Sequence, residues 1–245
     1  MNHVYGIKAS RQQVKDAIYA ARKAYSELPE TTCSHKTCCC RAGCPNMYYA
    51  EFLSIYRGAV EKLSKAQRLD LIIECVRQYL APQQVDKPKP CVFLSGNDCA
   101  VYEFRPLKCR LYGLIPSSLY EWIVDSVAKD MKTPKEQLPL CTQCDQVKVK
   151  DKFKAKFPDG VVPEDKIKKL EIRLRLNDSD LGMPEHLQHD GYGFLTYHDW
   201  HIMFDLGEKW MTSLSTLRTK AGEEEKEHFI QALRDALQQR DEIEE

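Results

Sequence analysis

The sequence has no long hydrophobic run, no excess of charge of either sign, and no cysteine anywhere in residues 145–245. No apolar stretch approaches the roughly 18 residues of a membrane-spanning helix, and the opening "MNHVYGIKASRQQVK" lacks the apolar core of a signal peptide. We therefore expect a cytoplasmic protein with no membrane span. Because 36 basic residues balance 36 acidic ones, the net charge gives no strong indication of a nucleic-acid partner.

Several common catalytic motifs are also missing. The chain has no glycine-rich phosphate loop, no nucleophile elbow and no zinc-protease helix motif, and it offers no loop typical of S-adenosylmethionine binding. The sequence therefore leaves open whether the protein is an enzyme, and it points to no catalytic residue.

The eleven cysteines are the most informative feature, and all of them lie between Cys33 and Cys144. They stay well below the roughly 8–10% of a disulfide scaffold, and their number is odd, so clustered thiols in a reducing compartment indicate metal binding. The uneven distribution predicts a cysteine-rich metal-binding or cluster-binding domain over residues 1–146. A helical C-terminal portion over residues 147–245 would follow, and the two could pack as one unit.

Hydrophobic periodicity predicts a mainly α fold. Apolar residues spaced by three and four indicate helices over 10–28, 47–63, 65–80, 118–131, 163–176, 197–217 and 223–243. Ser10 is a candidate N-cap for the first of them. Prolines, glycines and short apolar pieces between Pro82 and Pro116 predict an irregular cysteine-rich loop region with room for a short β element. Lysines alternate with mostly apolar residues over 147–157, which predicts a strand with one basic face.

Five cysteines crowd into the segment "TCSHKTCCCRAGC", residues 32–44. They are Cys33, Cys38, Cys39, Cys40 and Cys44. A tetrahedral zinc or a four-iron cluster needs about four thiolates that converge from different directions. Because consecutive side chains point apart, the three adjacent thiols cannot all reach one small ion. Either one or two of them are ligands, or the run serves two centres.

The other cysteines follow two different spacings. Cys91, Cys99 and Cys109 are eight and ten residues apart, unlike the two-residue knuckles of zinc ribbons, whereas Cys141 and Cys144 in "CTQC" have knuckle spacing. We count all of these as candidate metal ligands, with a redox pair as the alternative for "CTQC". Cys75 stands alone in a helical segment and is predicted to be a core residue.

The stretch "PCVFLSGNDCAVYEFRPLKCRLYG", residues 90–113, resembles the signature of the YkgJ-type cysteine-cluster family, described as zinc- or iron-chelating domains. The matching positions are Pro90, Cys91, Phe93, Leu94, Cys99, Tyr102, Arg105, Pro106, Cys109, Arg110 and Tyr112. The resemblance extends over about residues 33–144. It implies that the upstream cysteines join the same metal site, although a triple cysteine departs from the family's paired cysteines.

Arg105 and Arg110 flank Cys109 and are the candidate cofactor-binding residues. Guanidinium groups stay charged and can donate to thiolate or sulfide, which would offset the negative charge of a cluster. The alternative is that both arginines only form structural ion pairs.

The thiol-rich ligand set suits both zinc and iron–sulfur centres, because both prefer soft ligands. The long spacings favour an object larger than one ion, so a [4Fe–4S] cluster is the first hypothesis and zinc the alternative. The matching function is electron transfer or accessory service to a partner enzyme, with the helical C-terminal portion docking a protein partner. One alternative is a cluster-dependent modifying enzyme, similar in its cysteine cluster to flagellin lysine methylases; another is a structural zinc-binding interaction module.

Four histidines form a weaker pattern in "HLQHDGYGFLTYHDWH". His186, His189, His198 and His201 follow a two-eight-two spacing, and the last two share a helix face that could bind a metal or a substrate group. The alternative is a set of partly exposed histidines without such a role.

Overall fold

A computed structural model of the protein describes residues 9–32, 38–41, 43–81, 89–132, 134–137, 147–182 and 196–243. The helices in these ranges are α1 (Arg11–Tyr25), α2 (Cys38–Arg41), α3 (Tyr49–Lys62), α4 (Lys65–Leu80), α5 (Leu107–Leu111), α6 (Ser117–Met131), α7 (Asp151–Lys154), α8 (Glu164–Asp180), α9 (Tyr197–Asp205), α10 (Glu208–Lys220) and α11 (Glu223–Ile243). The strands are β1 (Thr31–Thr32), β2 (Leu94–Ser95), β3 (Asp98–Cys99) and β4 (Lys148–Val149). The predicted mainly α fold is confirmed. None of these helices combines enough length with enough apolar character to cross a bilayer.

Local sequence fixes where two of the long helices begin. The Ser10 hydroxyl accepts a hydrogen bond from the Gln13 amide at 3.2 Å, and the Gln13 side chain accepts one from the Ser10 amide at 2.8 Å. Ser64 and Gln67 repeat this reciprocal capping box at the start of α4. Each box pairs two amide donors that would otherwise have no partner, so both starts are encoded within four residues.

The helix predicted over residues 197–217 is wrong in one respect, because the structure divides it into α9 and α10. The division falls at Gly207, whose φ is +91°. Helical backbone requires negative φ, so a residue in this region ends one helix and reorients the chain before the next. Hydrophobic periodicity continues across such a break and therefore does not reveal it.

The predicted basic strand over 147–157 is also largely wrong. Only β4 is extended there, pairing antiparallel with β1 through Thr31 opposite Val149, and α7 follows at once. Lys150 and Lys152 both form ion pairs with Glu30, just before β1. These lysines therefore hold the β1–β4 pair to α7 instead of forming a continuous basic face.

The short β element lies in the cysteine-rich loop region, as the sequence predicts. Strands β2 and β3 form a hairpin with Leu94 opposite Cys99, and Gly96 adopts φ +61° in its turn. This positive φ suits glycine, because other residues are strained there. The hairpin fixes Cys99 relative to Cys91, which lies three residues before β2.

Two hydrophobic clusters organise the helices. The larger one joins α3, α4, α9, α10 and α11 around fully buried residues such as Phe52, Ile73 and Trp200. The smaller one joins α1, α5 and α8 through residues such as Ala21 and Leu170. Both clusters contain residues from each side of position 146, so the cysteine-rich portion and the helical C-terminal portion share their cores.

A buried carboxylate on α8 caps α3. Asp178 is 5% exposed, and its two oxygens accept hydrogen bonds from the amides of Tyr49 and Ala50 at 2.7 and 2.8 Å. These are among the first amides of α3, which have no partner within their own helix. The cap comes from a residue far away in the sequence, so it ties the C-terminal portion to the helix that leads out of the cysteine segment.

We predict that Asp178 makes stability depend on pH. Burial raises its pKa from 3.8 to about 7, although the two amide hydrogen bonds act in the opposite direction. The folded state therefore holds a proton that the unfolded state releases, so the free energy of unfolding falls as pH rises between these values, by up to about 1.4 kcal/mol per pH unit. Asp178→Asn should remove this part of the slope in urea unfolding measured from pH 4 to pH 8.

The control is Asp180→Asn, an exposed change on the same helix, which should leave the slope as in the unmodified protein. A variant of Asp178 with the unmodified protein's full pH slope would show that this carboxylate does not titrate in the window.

Candidate metal centre

Six described cysteines come together from four places in the chain. Cys39 and Cys40 lie in α2, and Cys44 follows this helix. Cys91 precedes the β2–β3 hairpin, Cys99 ends it, and Cys109 lies on α5. The Cys91 amide donates a hydrogen bond to the Cys40 carbonyl at 2.6 Å, which joins the upstream and downstream cysteine segments directly. We call these six residues the thiol cluster.

The thiols meet in pairs. The Sγ atoms of Cys44 and Cys91 lie 3.5 Å apart, and those of Cys39 and Cys40 lie 3.9 Å apart. Cys99 lies near Cys40, and the interaction of the two thiols shifts the pKa of each. Cys109 interacts electrostatically with thiols from both segments, so it borders the same cluster. All six side chains are half-buried by residue exposure.

Arg105 provides a positive charge beside the thiols. The pKa of Cys39 is lowered to about 6 and that of Cys99 to about 7. The interaction with Cys40 is the largest cause in both cases, and the positive charge of Arg105 contributes to both shifts. The Arg105 guanidinium lies 3.5 Å from the centre of the Tyr102 ring, and its Nε donates to the Tyr102 carbonyl at 2.9 Å. The arginine is thus held in place by its neighbour while its charge favours thiolates.

Three other thiols of the cluster, those of Cys40, Cys44 and Cys109, have raised pKa values. The pKa of Cys40 is raised, chiefly by the interactions of its thiol with Cys39 and Cys99, and that of Cys44 is raised by its hydrogen bond with Cys91 and by burial. Burial raises the pKa of Cys109. Metal ligation requires thiolates, so binding to this set would release protons.

Arg110, the second predicted arginine, has a different position. Its guanidinium donates to the carbonyls of Arg105 and Glu103, both at 2.7 Å, and lies over the Tyr25 ring at 4.6 Å from the centroid. The structure therefore places Arg105 beside the thiols, whereas Arg110 braces the turn that carries Cys109.

A buried carboxylate holds the same turn from the other side. Glu51 of α3 is 3% exposed and accepts hydrogen bonds from the Tyr25 hydroxyl, from the Leu107 amide at 2.6 Å and from the Tyr48 amide at 3.0 Å. Leu107 begins α5, the helix of Cys109. Sequence reasoning missed this role, although Glu51 is the only charged residue between Pro45 and Tyr56.

Two of the candidate histidines, His198 and His201, are described, and both lie on α9. His201 is 2% exposed, and its Nδ1 lies 2.8 Å from the Tyr197 hydroxyl. Its Nε2 lies 3.0 Å from an Asp205 oxygen, but the geometry of this contact is not that of a hydrogen bond. His198 lies with Nδ1 3.2 Å from the Thr196 hydroxyl, and burial, followed by His201, lowers its pKa to about 4. Within the described residues the Nε2 atom of His198 has no hydrogen-bond partner.

This group of α9 residues borders the cysteine loop. The Tyr197 ring packs edge-on against Phe93 with centroids 4.5 Å apart, and Phe93 lies between Cys91 and Cys99 in the sequence. Burial raises the pKa of Tyr197, and the thiols of Cys75 and Cys44 add to this effect. Cys75 itself is fully buried in the larger hydrophobic cluster, where its isolated position in a helical segment suggested it would be.

Some candidate ligands lie outside the described residues, namely Cys33, Cys141, Cys144, His186 and His189. Of Cys38 only the backbone, within α2, is described. In the part of the chain that the structure describes, no group of three or more histidine, cysteine, aspartate or glutamate side chains meets the spacing needed to hold a metal ion. The thiol cluster is therefore a set of neighbouring pairs.

Comparisons with known proteins give no relative. No protein-family model, no curated protein and no solved structure matches the chain. The similarity to the YkgJ-type family therefore stays a prediction that depends on the motif of residues 90–113.

We predict that the Tyr25–Glu51 hydrogen bond stabilises the protein measurably. Tyr25→Phe removes the hydroxyl and leaves a buried carboxylate with one donor fewer, which should lower the free energy of unfolding by about 1–2 kcal/mol. Urea unfolding measures the change. Tyr19→Phe is the matched control, because Tyr19 is on the same helix and 69% exposed; equal effects of the two substitutions would contradict the prediction.

Proposed function

We propose that the protein binds a [4Fe–4S] cluster through its thiol cluster and serves in electron transfer or as an accessory to a partner enzyme. The observation that carries the proposal is the approach of thiol pairs from separate segments of the chain, with Cys109 and Arg105 near them. A hydrophobic core does not require so many thiols in one place. Net neutrality fits a protein partner, and a reducing, cytoplasmic compartment would keep the thiols free for a metal.

The donor set fits such a cluster in number and type. Cys91, Cys99 and Cys109 would supply three thiolates, and Cys39, Cys40 or Cys44 the fourth. When bound, the cluster would accept and release single electrons. Arg105 would offset the negative charge of the thiolates, and the half-buried side chains would limit access of water.

A structural zinc module is the second candidate, and one distance favours it. Two thiolates on a tetrahedral zinc lie about 3.8 Å apart, given a Zn–S bond of about 2.3 Å. The pairs Cys39–Cys40 and Cys44–Cys91 have Sγ separations of 3.9 and 3.5 Å. Each separation therefore matches the distance between two thiolates on one zinc ion.

A cluster-dependent modifying enzyme is the third candidate. The contact between Phe93 and Tyr197 supports it, because it brings the buried Tyr197–His201 pair next to the cysteine loop. Polar groups of this kind beside a metal site could orient a substrate or move a proton.

Metal analysis of the purified protein distinguishes iron–sulfur from zinc. We expect anaerobic purification to give a brown protein with iron and acid-labile sulfide in similar amounts. Cys91→Ser, Cys99→Ser and Cys109→Ser should each lower the iron content at least tenfold. Cys75→Ala, at a fully buried cysteine assigned to the core, is the control and should retain its iron. Colourless protein with stoichiometric zinc would replace the iron–sulfur proposal with the zinc module.

The triple cysteine offers a separate test of the number of centres. With one centre, at most two of Cys38, Cys39 and Cys40 can be ligands, because consecutive side chains diverge. Single serine substitutions should therefore have unequal effects on metal content, with at least one variant close to the unmodified protein. Equal and complete loss in all three variants would instead require two centres.

A further inference from the structure

A cavity of about 390 Å³ opens to solvent beside the cysteine-bearing turn. Its described lining comes from the end of α1 and from the segment that leads into α5. The lining residues are Arg22, Tyr25, Ser26, Glu103, Phe104 and Arg110. The volume falls within the roughly 300–1,000 Å³ of small-molecule sites.

The charges around the cavity favour an anion. The Glu103 carboxylate already accepts an ion-pair hydrogen bond from the Lys62 ammonium at 2.9 Å. Arg22 and Arg110 have no ion pair within the described residues, and the Arg22 guanidinium lies over the Phe104 ring, 5.2 Å from its centroid. Two guanidinium groups without a carboxylate partner therefore line one cavity.

Two residues of the cavity wall, Phe104 and Arg110, are held by contacts within the protein. Phe104 packs on Gly58 of α3 so closely that a Cβ at this glycine would lie 2.4 Å from the ring. Arg110 is held by two backbone carbonyls and by the Tyr25 ring, as described above. Because these groups are ordered by the protein itself, a ligand would lose little free energy in arranging them.

We propose that this cavity binds a small organic anion, with its carboxylate or phosphate group between Arg22 and Arg110 and its apolar body against Phe104 and Tyr25. Guanidinium groups match the planar oxygens of both anions and pair with them through parallel hydrogen bonds. The aromatic walls favour a ring or a short hydrocarbon chain over a bare inorganic ion. The anion proposal does not rely on the metal proposal, because none of the lining residues is among the candidate cysteine ligands.

Isothermal titration of the full-length protein with benzoate and with phenyl phosphate tests the proposal. At least one probe should bind saturably, and acetate or inorganic phosphate should bind more weakly because they lack the apolar body. Arg22→Gln should raise the dissociation constant at least tenfold. Arg11→Gln is the matched control, an exposed arginine at the start of the same helix, and it should bind as the unmodified protein does.

Three outcomes would overturn the proposal. They are no saturable binding of either probe, unchanged affinity in Arg22→Gln, or an equal loss in Arg11→Gln, which would indicate general surface charge. The titration is repeated on protein with and without bound metal, so failure of this site and failure of the metal site are measured separately. The preferred probe identifies the anionic group as carboxylate or phosphate.

Discussion

The buried carboxylate of Glu51 is the constraint on which the geometry of the thiol cluster depends. A carboxylate removed from water is costly unless donors replace the lost hydration, and here a tyrosine hydroxyl and two amides do so. Because the donors belong to α1, to the start of α3 and to the start of α5, one side chain fixes three helices relative to each other. Asp178 adds α8 to the same junction through the next amides of α3. The thiol-free portion of the chain thereby supports the cysteine turn.

Much of the helical fold could be predicted from the sequence, because it is encoded locally. Capping boxes at Ser10 and Ser64 and a regular apolar stripe operate within a few residues of one another. The predictions that were wrong concern features that are not encoded by local periodicity. Gly207 interrupts an apolar stripe that continues on both sides of it. The lysines after β4 alternate with other residues as in a strand, but their ion pairs to Glu30 and the start of α7 determine their structure. Hydrophobic periodicity indicates which face of an element is buried, but it does not indicate where the backbone bends.

The sequence predicts which residues belong to the candidate site better than it predicts how they are arranged. The motif of residues 90–113 singles out Cys91, Cys99, Cys109 and both arginines, and the structure brings these three cysteines near Cys39, Cys40 and Cys44. Which thiols pair could not be predicted, because the Cys44–Cys91 contact joins segments that α3 and α4 separate in the sequence. The different roles of Arg105 and Arg110 could not be predicted either. Arg110 packs over Tyr25 of α1, and no local sequence pattern indicates this contact. Glu51 was missed because its three donors come together only in the folded chain.

The turn from Glu103 to Arg110 presents different chemistry on its two sides. Arg105 lies beside the thiols, and Arg110, five residues later, lines the cavity and donates to the Arg105 carbonyl at 2.7 Å. An anion that draws the Arg110 guanidinium towards itself would have to compete with this carbonyl bond. Any resulting shift of the Arg105 backbone would move its guanidinium relative to Cys39 and Cys99 and so alter its effect on their thiolates. Coupling between two sites is reciprocal, so a change in thiolate charge would alter anion affinity to the same degree. The shared turn thus offers a physical route by which ligand occupancy and the state of the thiol cluster could affect each other.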